Sequence, residues 1–319
     1  TLPGSRSVES AQEVLRVAGL ERSVVGALIH ASVCRDFLEP ATACRVHHEL
    51  GLPQDCLVYD VSNACLGILN GIVQVANMIE LGQIRAGIVV GTESSRQLVE
   101  TTIAALNANT SLTRNAIKSA IASLTIGSGS AAVLLVHRSL SRSGNRLLAA
   151  GARAFTAGHA LCHSDGDQAA AGDMHPLMET DSEQLMQQGI AAGVATFGSF
   201  LEAADWSHDQ IDKTFCHQVG SAHRKLMLAS LAIDPSIDFA TYETLGNTGS
   251  VALPVTLALG AEQGHLKSGD RVALLGIGSG INSLMLALEW RRTLVAGRDE
   301  SSLAPGQQLP LADVLLSPA

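Results

Sequence analysis

The chain has 319 residues, of which 46% are hydrophobic and 16% charged, so it can bury a sizeable core in one large domain or two similar halves. The formal net charge of −9, without a basic stripe, argues against a nucleic-acid partner. No uninterrupted apolar run reaches about 18 residues, so we expect no membrane insertion.

The first predicted element is a helix that begins at residue 8 and stops at Gly19. Buried strands are then predicted over 23–32 and 56–64, because these are short apolar runs without helical period. A helix over 40–52 separates them. The next helix, 65–83, is apolar almost all round and should therefore be buried.

Further along, a strand is predicted over 85–94, followed by a helical or irregular stretch and two more strands. Residues 154–180 show no period and are predicted as a loop over the site. A long helix over 181–204 follows, with Asp181 or Ser182 as its N-cap.

The second part of the chain repeats the order of the first. Residues 250–280 resemble residues 67–94: each has a buried helix, a glycine-containing turn, a basic residue and an apolar strand. Alternating helices and near-continuously apolar strands predict sheets covered on both faces. We therefore predict two α/β halves, 1–153 and 154–290, related by a pseudo-dyad with the site at their seam, and a tail over 291–319.

The chain contains six cysteines, and none lies in CxxC spacing or in a zinc-ligand pattern with histidine. They are Cys34, Cys44, Cys56, Cys65, Cys162 and Cys216. A chain with so large a core needs no disulfide bonds, so we expect reduced thiols, no metal and a cytoplasmic location. Cysteines other than Cys65 are interpreted as core residues, and three histidines as helix-surface residues: His47, His48 and His223.

Three segments end buried elements with reactive side chains: Cys65 in "NACLG", His217 in "CHQVG" and Asn247 in "GNTGS". Cys65 opens a helix, where free amides and the helix dipole favour a thiolate. A thiolate can take an acyl group, and His217 and Asn247 can donate hydrogen bonds to an enolate or thioester oxygen. The backbone amides of Cys65 and Ser279 would supply an oxyanion hole.

Each of these residues also has an ordinary structural interpretation. Cys65 could be a core sulfur, His217 a hydrogen-bonded structural histidine, and Asn247 a turn residue. The catalytic interpretation depends on all three motifs occurring together and in order.

Together, "DVSNACLG", "CHQVGSAHRKLM", "LGNTGSVALPV" and "ALLGIGSGIN" resemble the ketoacyl synthase III branch of the thiolase superfamily. This resemblance implies a five-layered αβαβα fold, an obligate homodimer and thioesters of coenzyme A (CoA) or acyl carrier protein (ACP) as substrates, without a cofactor. Members of the branch begin earlier in their sequences, with a first strand and a residue that grips CoA, so we assign no CoA-binding residue here.

The segment "SVCRDFLEPATAC" places Glu39 before Pro40, where it resembles the OleA-type enzymes of long-chain olefin biosynthesis. The resemblance implies that Glu39 crosses the dimer interface and acts as a base in the partner's site. The implied reaction is a head-to-head Claisen condensation of two fatty acyl-CoAs through acyl-Cys65. An ordinary acyl-CoA needs such a base, because its α-hydrogen is only weakly acidic.

Two alternatives stay open at this point. A decarboxylating 3-oxoacyl-ACP synthase III would use a malonyl donor, which forms its carbanion by losing CO2. A truncated, inactive thiolase-fold subunit would act only as a structural partner. Glu39 distinguishes the head-to-head condensation from the decarboxylating reaction, and its ordinary interpretation is a solvated residue in a surface loop.

Overall fold

The computed structural model describes residues 2–109, 111, 113–164 and 177–296. The elements of its first part are α1 (Pro3–Ala18), β1 (Val25–Ala31), α2 (Thr42–Leu50), β2 (Leu57–Val61), α3 (Gly67–Glu80), β3 (Ala86–Glu93), α4 (Arg96–Ala108), α5 (Arg114–Leu124) and β4 (Gly129–Val136). Those of its second part are β5 (Arg146–Ala154), β6 (Cys162–Ser164), β7 (Met178–Thr180), α6 (Ser182–Ala204), β8 (Lys213–Cys216), α7 (Ser221–Ser230), α8 (Tyr242–Leu245), α9 (Ala252–Glu262), β9 (Arg271–Gly278) and β10 (Asn282–Glu289).

Two four-stranded sheets form the framework. The first has the order β2-β1-β3-β4, in which β1 is parallel to β2 and β3 while β4 is antiparallel to β3. The second has the order β5-β10-β9-β8, in which β8 is parallel to β9 and β10 is antiparallel to both neighbours. Strands β1-β3-β4 therefore correspond to β8-β9-β10, and the predicted duplication is confirmed.

Strand β5 lies in the second sheet, although the predicted boundary after residue 153 assigns it to the first half. It pairs with β10 from Arg146, opposite Glu289, to Ala154, opposite Asn282. The partners are far apart in sequence, so no local pattern identifies them. Among the described residues, β10 is paired on both sides, whereas β4 is paired with β3 alone.

Helices cover both sheets and also separate them. Helices α1 and α2 pack on the outer face of the first sheet, and α6 and α7 on that of the second. Helices α3 and α9 lie between the sheets in a cluster with residues of β1, β3, β9 and β10. These layers form the predicted five-layered αβαβα fold.

Two glycines bring the strands close to α3. A Cβ atom on Gly91 would lie 2.4 Å from Ala31 O and 3.3 Å from Ile68 Cδ1. A Cβ atom on Gly276 would lie 2.5 Å from Leu284 O and 2.9 Å from the Cδ2 atoms of Leu66 and Leu69. Helix α3 and the residue before it therefore pack on β3 and β9 at positions that have no room for a side chain.

The segment before α6 differs from the prediction. Residues 154–180, predicted as a loop, contain the short antiparallel pair β6-β7, while 165–176 lie outside the described residues. The predicted cap of α6 is confirmed, because Asp181 Oδ1 accepts a hydrogen bond from Gln184 N at 3.0 Å. Most of the predicted tail, 297–319, also lies outside the described residues.

Candidate active site

Cys65 is presented by a strained turn between β2 and α3. Ala64 has φ 44°, a left-handed conformation that is uncommon for a residue with a Cβ, and Leu66 N donates to Asn63 O at 2.9 Å. The Asn63 side chain accepts from Asn282 Nδ2 at 3.2 Å, which ties this turn to the start of β10. Cys65 is therefore held at the seam between the halves, at the entrance to a buried helix.

The Cys65 side chain rests as a thiol, contrary to the predicted thiolate. Burial raises the pKa of Cys65 to about 12, and the charge of Glu93 and the nearby Cys162 act in the same direction. A hydrogen bond with the Asn247 side chain lowers the pKa but does not offset them. Burial and a neighbouring carboxylate thus outweigh the favourable position at the helix start, so the proton must leave as Cys65 reacts.

Asn247 is fixed by contacts with the first half. Its backbone N donates to Thr125 O at 3.0 Å, and its backbone O accepts from Gly127 N at 2.8 Å. Its side-chain Oδ1 accepts from Gly249 N at 3.0 Å. Because Oδ1 accepts from Gly249 N, we assign the interaction that lowers the pKa of Cys65 to the amide group's Nδ2. Asn247 is a turn residue, as its ordinary interpretation required, and its side chain also interacts with Cys65.

His217 continues the line of β8, with its backbone N donating to Leu275 O at 3.1 Å. The side chain is 3% exposed. Burial and the neighbouring His223 lower the pKa of His217 to about 3, so the ring is neutral at neutral pH. Its Nδ1 atom is buried and has no hydrogen-bond partner among the described residues. A proton on Nε2 would make the ring a neutral hydrogen-bond donor.

His223 was interpreted as a helix-surface residue, and that prediction is wrong. It is 7% exposed on α7, and burial lowers its pKa to about 4. The helical period around it is weak, so the buried face of α7 could not be identified from the sequence.

The end of β9 lies against the Cys65 turn. A Cβ atom on Gly278 would lie 3.5 Å from Cys65 N and 3.2 Å from Leu66 Cγ. Ser279 follows directly, so its backbone begins next to the amide of Cys65. The predicted oxyanion pair of Cys65 and Ser279 stays a prediction, and this close approach is compatible with it.

Glu39 lies apart from the buried residues of the seam. It is exposed, in a loop whose large apolar side chains Val33, Phe37 and Leu38 are 52%, 39% and 58% exposed. The carboxylate that acts on Cys65 within the chain is instead that of Glu93, the last residue of β3. Glu93 is 5% exposed and was not predicted, although a charged residue ending an otherwise apolar strand was visible in the sequence.

Across the described residues, no group of three or more His, Cys, Asp or Glu side chains could hold a metal ion. None of the helices in those ranges combines the length and apolar character needed to cross a bilayer.

Family models match most of both halves. The model "Thiolase, N-terminal domain" matches residues 7–128, and "3-Oxoacyl-[acyl-carrier-protein (ACP)] synthase III C terminal" matches residues 201–290. With the αβαβα fold and the Cys65–Asn247 pair, these matches define a thiolase-fold acyltransferase.

Two relatives indicate which branch of the thiolase-fold acyltransferases the chain belongs to. The chain is 42% identical over 287 residues to an acyl-CoA:acyl-CoA alkyltransferase of Shewanella oneidensis, covering 89% of this chain and 82% of the relative. An acyl-CoA:acyl-CoA alkyltransferase of Xanthomonas campestris is 33% identical, with 89% and 81% covered. The chain therefore belongs to the OleA-type acyl-CoA:acyl-CoA alkyltransferases. A β-ketoacyl-ACP synthase III of Koribacter versatilis is 24% identical.

Solved structures agree with this assignment. A crystal structure of X. campestris OleA with bound lauric acid and lauroyl-CoA matches with a TM-score of 0.84 at 32% identity, covering 91% of this chain and 83% of that one. Other solved forms of that protein carry substitutions of a cysteine, a glutamate and a histidine. The glutamate precedes the cysteine there by 26 positions, the separation of Glu39 from Cys65.

Proposed function

We propose that the chain condenses two fatty acyl-CoA molecules head to head, without decarboxylation, into a 2-alkyl-3-ketoacyl product. The hydrogen bond that joins Cys65 of the first half to Asn247 of the second carries this proposal, because it unites a nucleophile with an oxyanion donor. The names of the relatives supply the substrate class. The reaction requires two steps on the same thiol.

In the first step Cys65 is loaded. The thiol sulfur attacks the carbonyl carbon of one acyl-CoA, the bond from that carbon to the CoA sulfur breaks, and the thiol proton leaves with CoA. The transient oxyanion would be stabilised by the backbone amides of Cys65 and Ser279. Because the pKa of the Cys65 thiol is raised, its proton is transferred as the sulfur attacks, and this proton ends on the departing CoA sulfur.

In the second step a carbon–carbon bond forms. Glu39 of the partner subunit removes a proton from the α-carbon of a second acyl-CoA, and the side chains of His217 and Asn247 donate to the enolate oxygen. The carbanion attacks the acyl-Cys65 carbonyl, the carbon–sulfur bond breaks, and the released thiolate recovers a proton. Hydrolysis of the remaining CoA thioester would give the 2-alkyl-3-keto acid.

A homodimer is part of the proposal, because Glu39 is exposed while Cys65 lies at the buried seam. The exposed apolar side chains beside Glu39 form a surface suited to a partner chain. The matching separation of glutamate and cysteine in X. campestris OleA supports the role of Glu39. We also propose CoA rather than ACP as the carrier, and a cytoplasmic location.

The two alternatives are less well supported. A decarboxylating synthase III would need only the oxyanion donors, but relatives with that name are 23–25% identical, against 42% and 33% for the alkyltransferases. An inactive subunit would not need the buried Cys65–Asn247 hydrogen bond or the strained turn at Ala64.

Incubation of the purified chain with lauroyl-CoA alone tests the reaction. We expect release of CoA and, after spontaneous decarboxylation of the 3-keto acid, a ketone built from two acyl chains, detected by mass spectrometry. Cys65→Ala should abolish both, whereas Cys44→Ala, at an exposed cysteine on α2, should retain them. Product formation only after addition of malonyl-CoA would instead identify a decarboxylating synthase.

A mixing experiment tests the crossing of Glu39 between subunits. Cys65→Ala and Glu39→Ala chains are each expected to be inactive in condensation. After co-refolding in equal amounts, half of the dimers are mixed, and each has one site with Cys65 and the partner's Glu39 intact. Condensation should return to about a quarter of the wild-type level. Failure of the mixture to regain activity, with mixed dimers verified by mass, would exclude this role of Glu39.

A further inference from the structure

Glu93 forms a buried junction between the two halves. Its Oε1 atom accepts hydrogen bonds from Val33 N at 3.0 Å, Ser250 N at 3.3 Å and Ser250 Oγ at 2.7 Å. Its Oε2 atom accepts from Cys34 N at 3.2 Å. The carboxylate therefore has four donors, which is the environment that a buried negative charge requires.

The donors belong to two segments that the proposed reaction needs. Val33 and Cys34 begin the loop that leads to Glu39. Ser250 lies three residues after Asn247 in the same turn. A Cβ atom on Gly249 would lie 3.1 Å from Glu93 Cγ, so the turn also packs directly on the Glu93 side chain. The Glu93 carboxylate thus joins the loop that leads to Glu39 in the first half to the turn that contains Asn247 in the second half.

Glu93 also lies near the nucleophile. After burial, its charge is the largest influence raising the pKa of the Cys65 thiol, and it raises the pKa of Cys34 as well, which burial brings to about 12. In the proposed reaction Cys65 is acylated and Glu39 is the base, and neither role involves Glu93.

We propose that Glu93 is a positioning residue for the condensation step. It fixes the Asn247 turn beside Cys65 of its own subunit, and it fixes the start of the loop that carries Glu39 to the partner's site. It acts through these segments without contacting the substrate. The inference rests on the proposed function, because it requires that Asn247 acts in the site of its own subunit and Glu39 in that of the partner.

Two substitutions separate the charge of Glu93 from its length. Glu93→Gln has nearly the same shape but removes the charge and replaces one acceptor oxygen with an NH2 group facing N–H donors. Glu93→Asp keeps the charge but is one methylene shorter, so it cannot bridge the loop and the turn in the same way. Asp36→Asn is the matched control, because Asp36 is 1% exposed in the same loop and bonds instead to Gly4 N and Arg45.

Four quantities are measured on each full-length variant: thermal stability, loading of Cys65 by lauroyl-CoA, condensation, and the rate of iodoacetamide alkylation at Cys65. The alkylation rate is followed by mass spectrometry of the Cys65 peptide from pH 7 to 10. We expect Glu93→Gln to alkylate about threefold faster at pH 8, because more thiolate forms although each thiolate is less nucleophilic. Its condensation should fall at least tenfold relative to loading.

Glu93→Asp should keep the wild-type alkylation profile and still lose condensation relative to loading. Asp36→Asn should keep the alkylation profile. Its ratio of condensation to loading measures the effect of weakening the contacts of this loop without changing Glu93. The proposal is overturned if Glu93→Gln matches Asp36→Asn in alkylation and in the ratio of condensation to loading. If the wild-type chain forms no ketone, the proposed function fails, and an unchanged alkylation profile in Glu93→Gln would separately remove Glu93 from the neighbourhood of Cys65.

Discussion

Strands β3 and β9 occupy equivalent places in the two halves, yet they end differently. Both are eight residues long, and Gly91 and Gly276 hold the same position within them, each facing α3. Two positions later, β3 ends in Glu93 and β9 ends in Gly278. The glycine that the halves share preserves the layered fold, whereas the position at which they differ lies beside Cys65.

The difference extends to the charges around the site. The first half supplies the thiol and the buried carboxylate of Glu93, and the exposed Glu39 belongs to it as well. The second half supplies His217 and Asn247, which are neutral at neutral pH. Duplication has therefore produced one half that carries the thiol and the carboxylates and one that carries neutral donors. Neutral donors stabilise a developing oxyanion without competing for protons.

The largest expected effect is the loss of the donors of the second half. Asn247→Ala and His217→Ala should each reduce condensation by about 10²- to 10³-fold, or about 3–4 kcal/mol, because each removes a hydrogen bond to the enolate oxygen. Loading of Cys65, measured by intact-protein mass spectrometry with lauroyl-CoA, should persist.

Asn145→Ala provides the control for this division of roles. Asn145 also bonds to backbone atoms, those of Arg291 and Arg292, but it lies outside the site. Its variant should condense normally. Equal losses of loading and condensation in the Asn247 and His217 variants would contradict the assignment of the second half to the condensation step.

The sequence allowed part of this comparison to be predicted. Cys65, His217 and Asn247 were found because each follows or opens a buried element within a recognisable motif, and the layered fold followed from the repeated order of helices and strands. The predicted thiolate state of Cys65 is wrong, because a pKa depends on burial and on charges that are distant in sequence. Glu93 was missed for the same reason: its four donors come from segments brought together only by folding.

The shared glycines should be equally necessary in both halves. Gly91→Ala and Gly276→Ala each place a Cβ atom within 2.4 or 2.5 Å of a backbone oxygen, which requires movement of a strand. We expect each to lower the free energy of unfolding by about 3 kcal/mol, measured by urea denaturation. Gly198→Ala, in α6 with nothing within 4 Å of the added Cβ, should raise it by about 0.5–1 kcal/mol. If Gly276→Ala lowers the free energy of unfolding and Gly91→Ala does not, the two halves pack differently on α3.

The smallest predicted effect is the dependence of stability on pH in the second half. The unfolded chain protonates its histidines near pH 6.5, whereas His217 and His223 in the folded chain have pKa values lowered to about 3 and about 4. Between these values the unfolded state binds protons that the folded state excludes, so the free energy of unfolding falls as the pH falls. From pH 7.5 to 5.0 we expect a loss of about 2 kcal/mol for each histidine.

Urea denaturation at the two pH values measures this loss, and single variants assign it. His223→Gln should reduce the difference between pH 7.5 and 5.0 by about 2 kcal/mol, because its side chain no longer titrates. His48→Gln, at an exposed position on α2, should leave the difference unchanged. If His223→Gln also leaves it unchanged, the ring of His223 is protonated in the folded chain at pH 5. The neutral environment assigned to the second half would then be wrong, and His217 beside it would no longer be expected to act as a pH-independent donor.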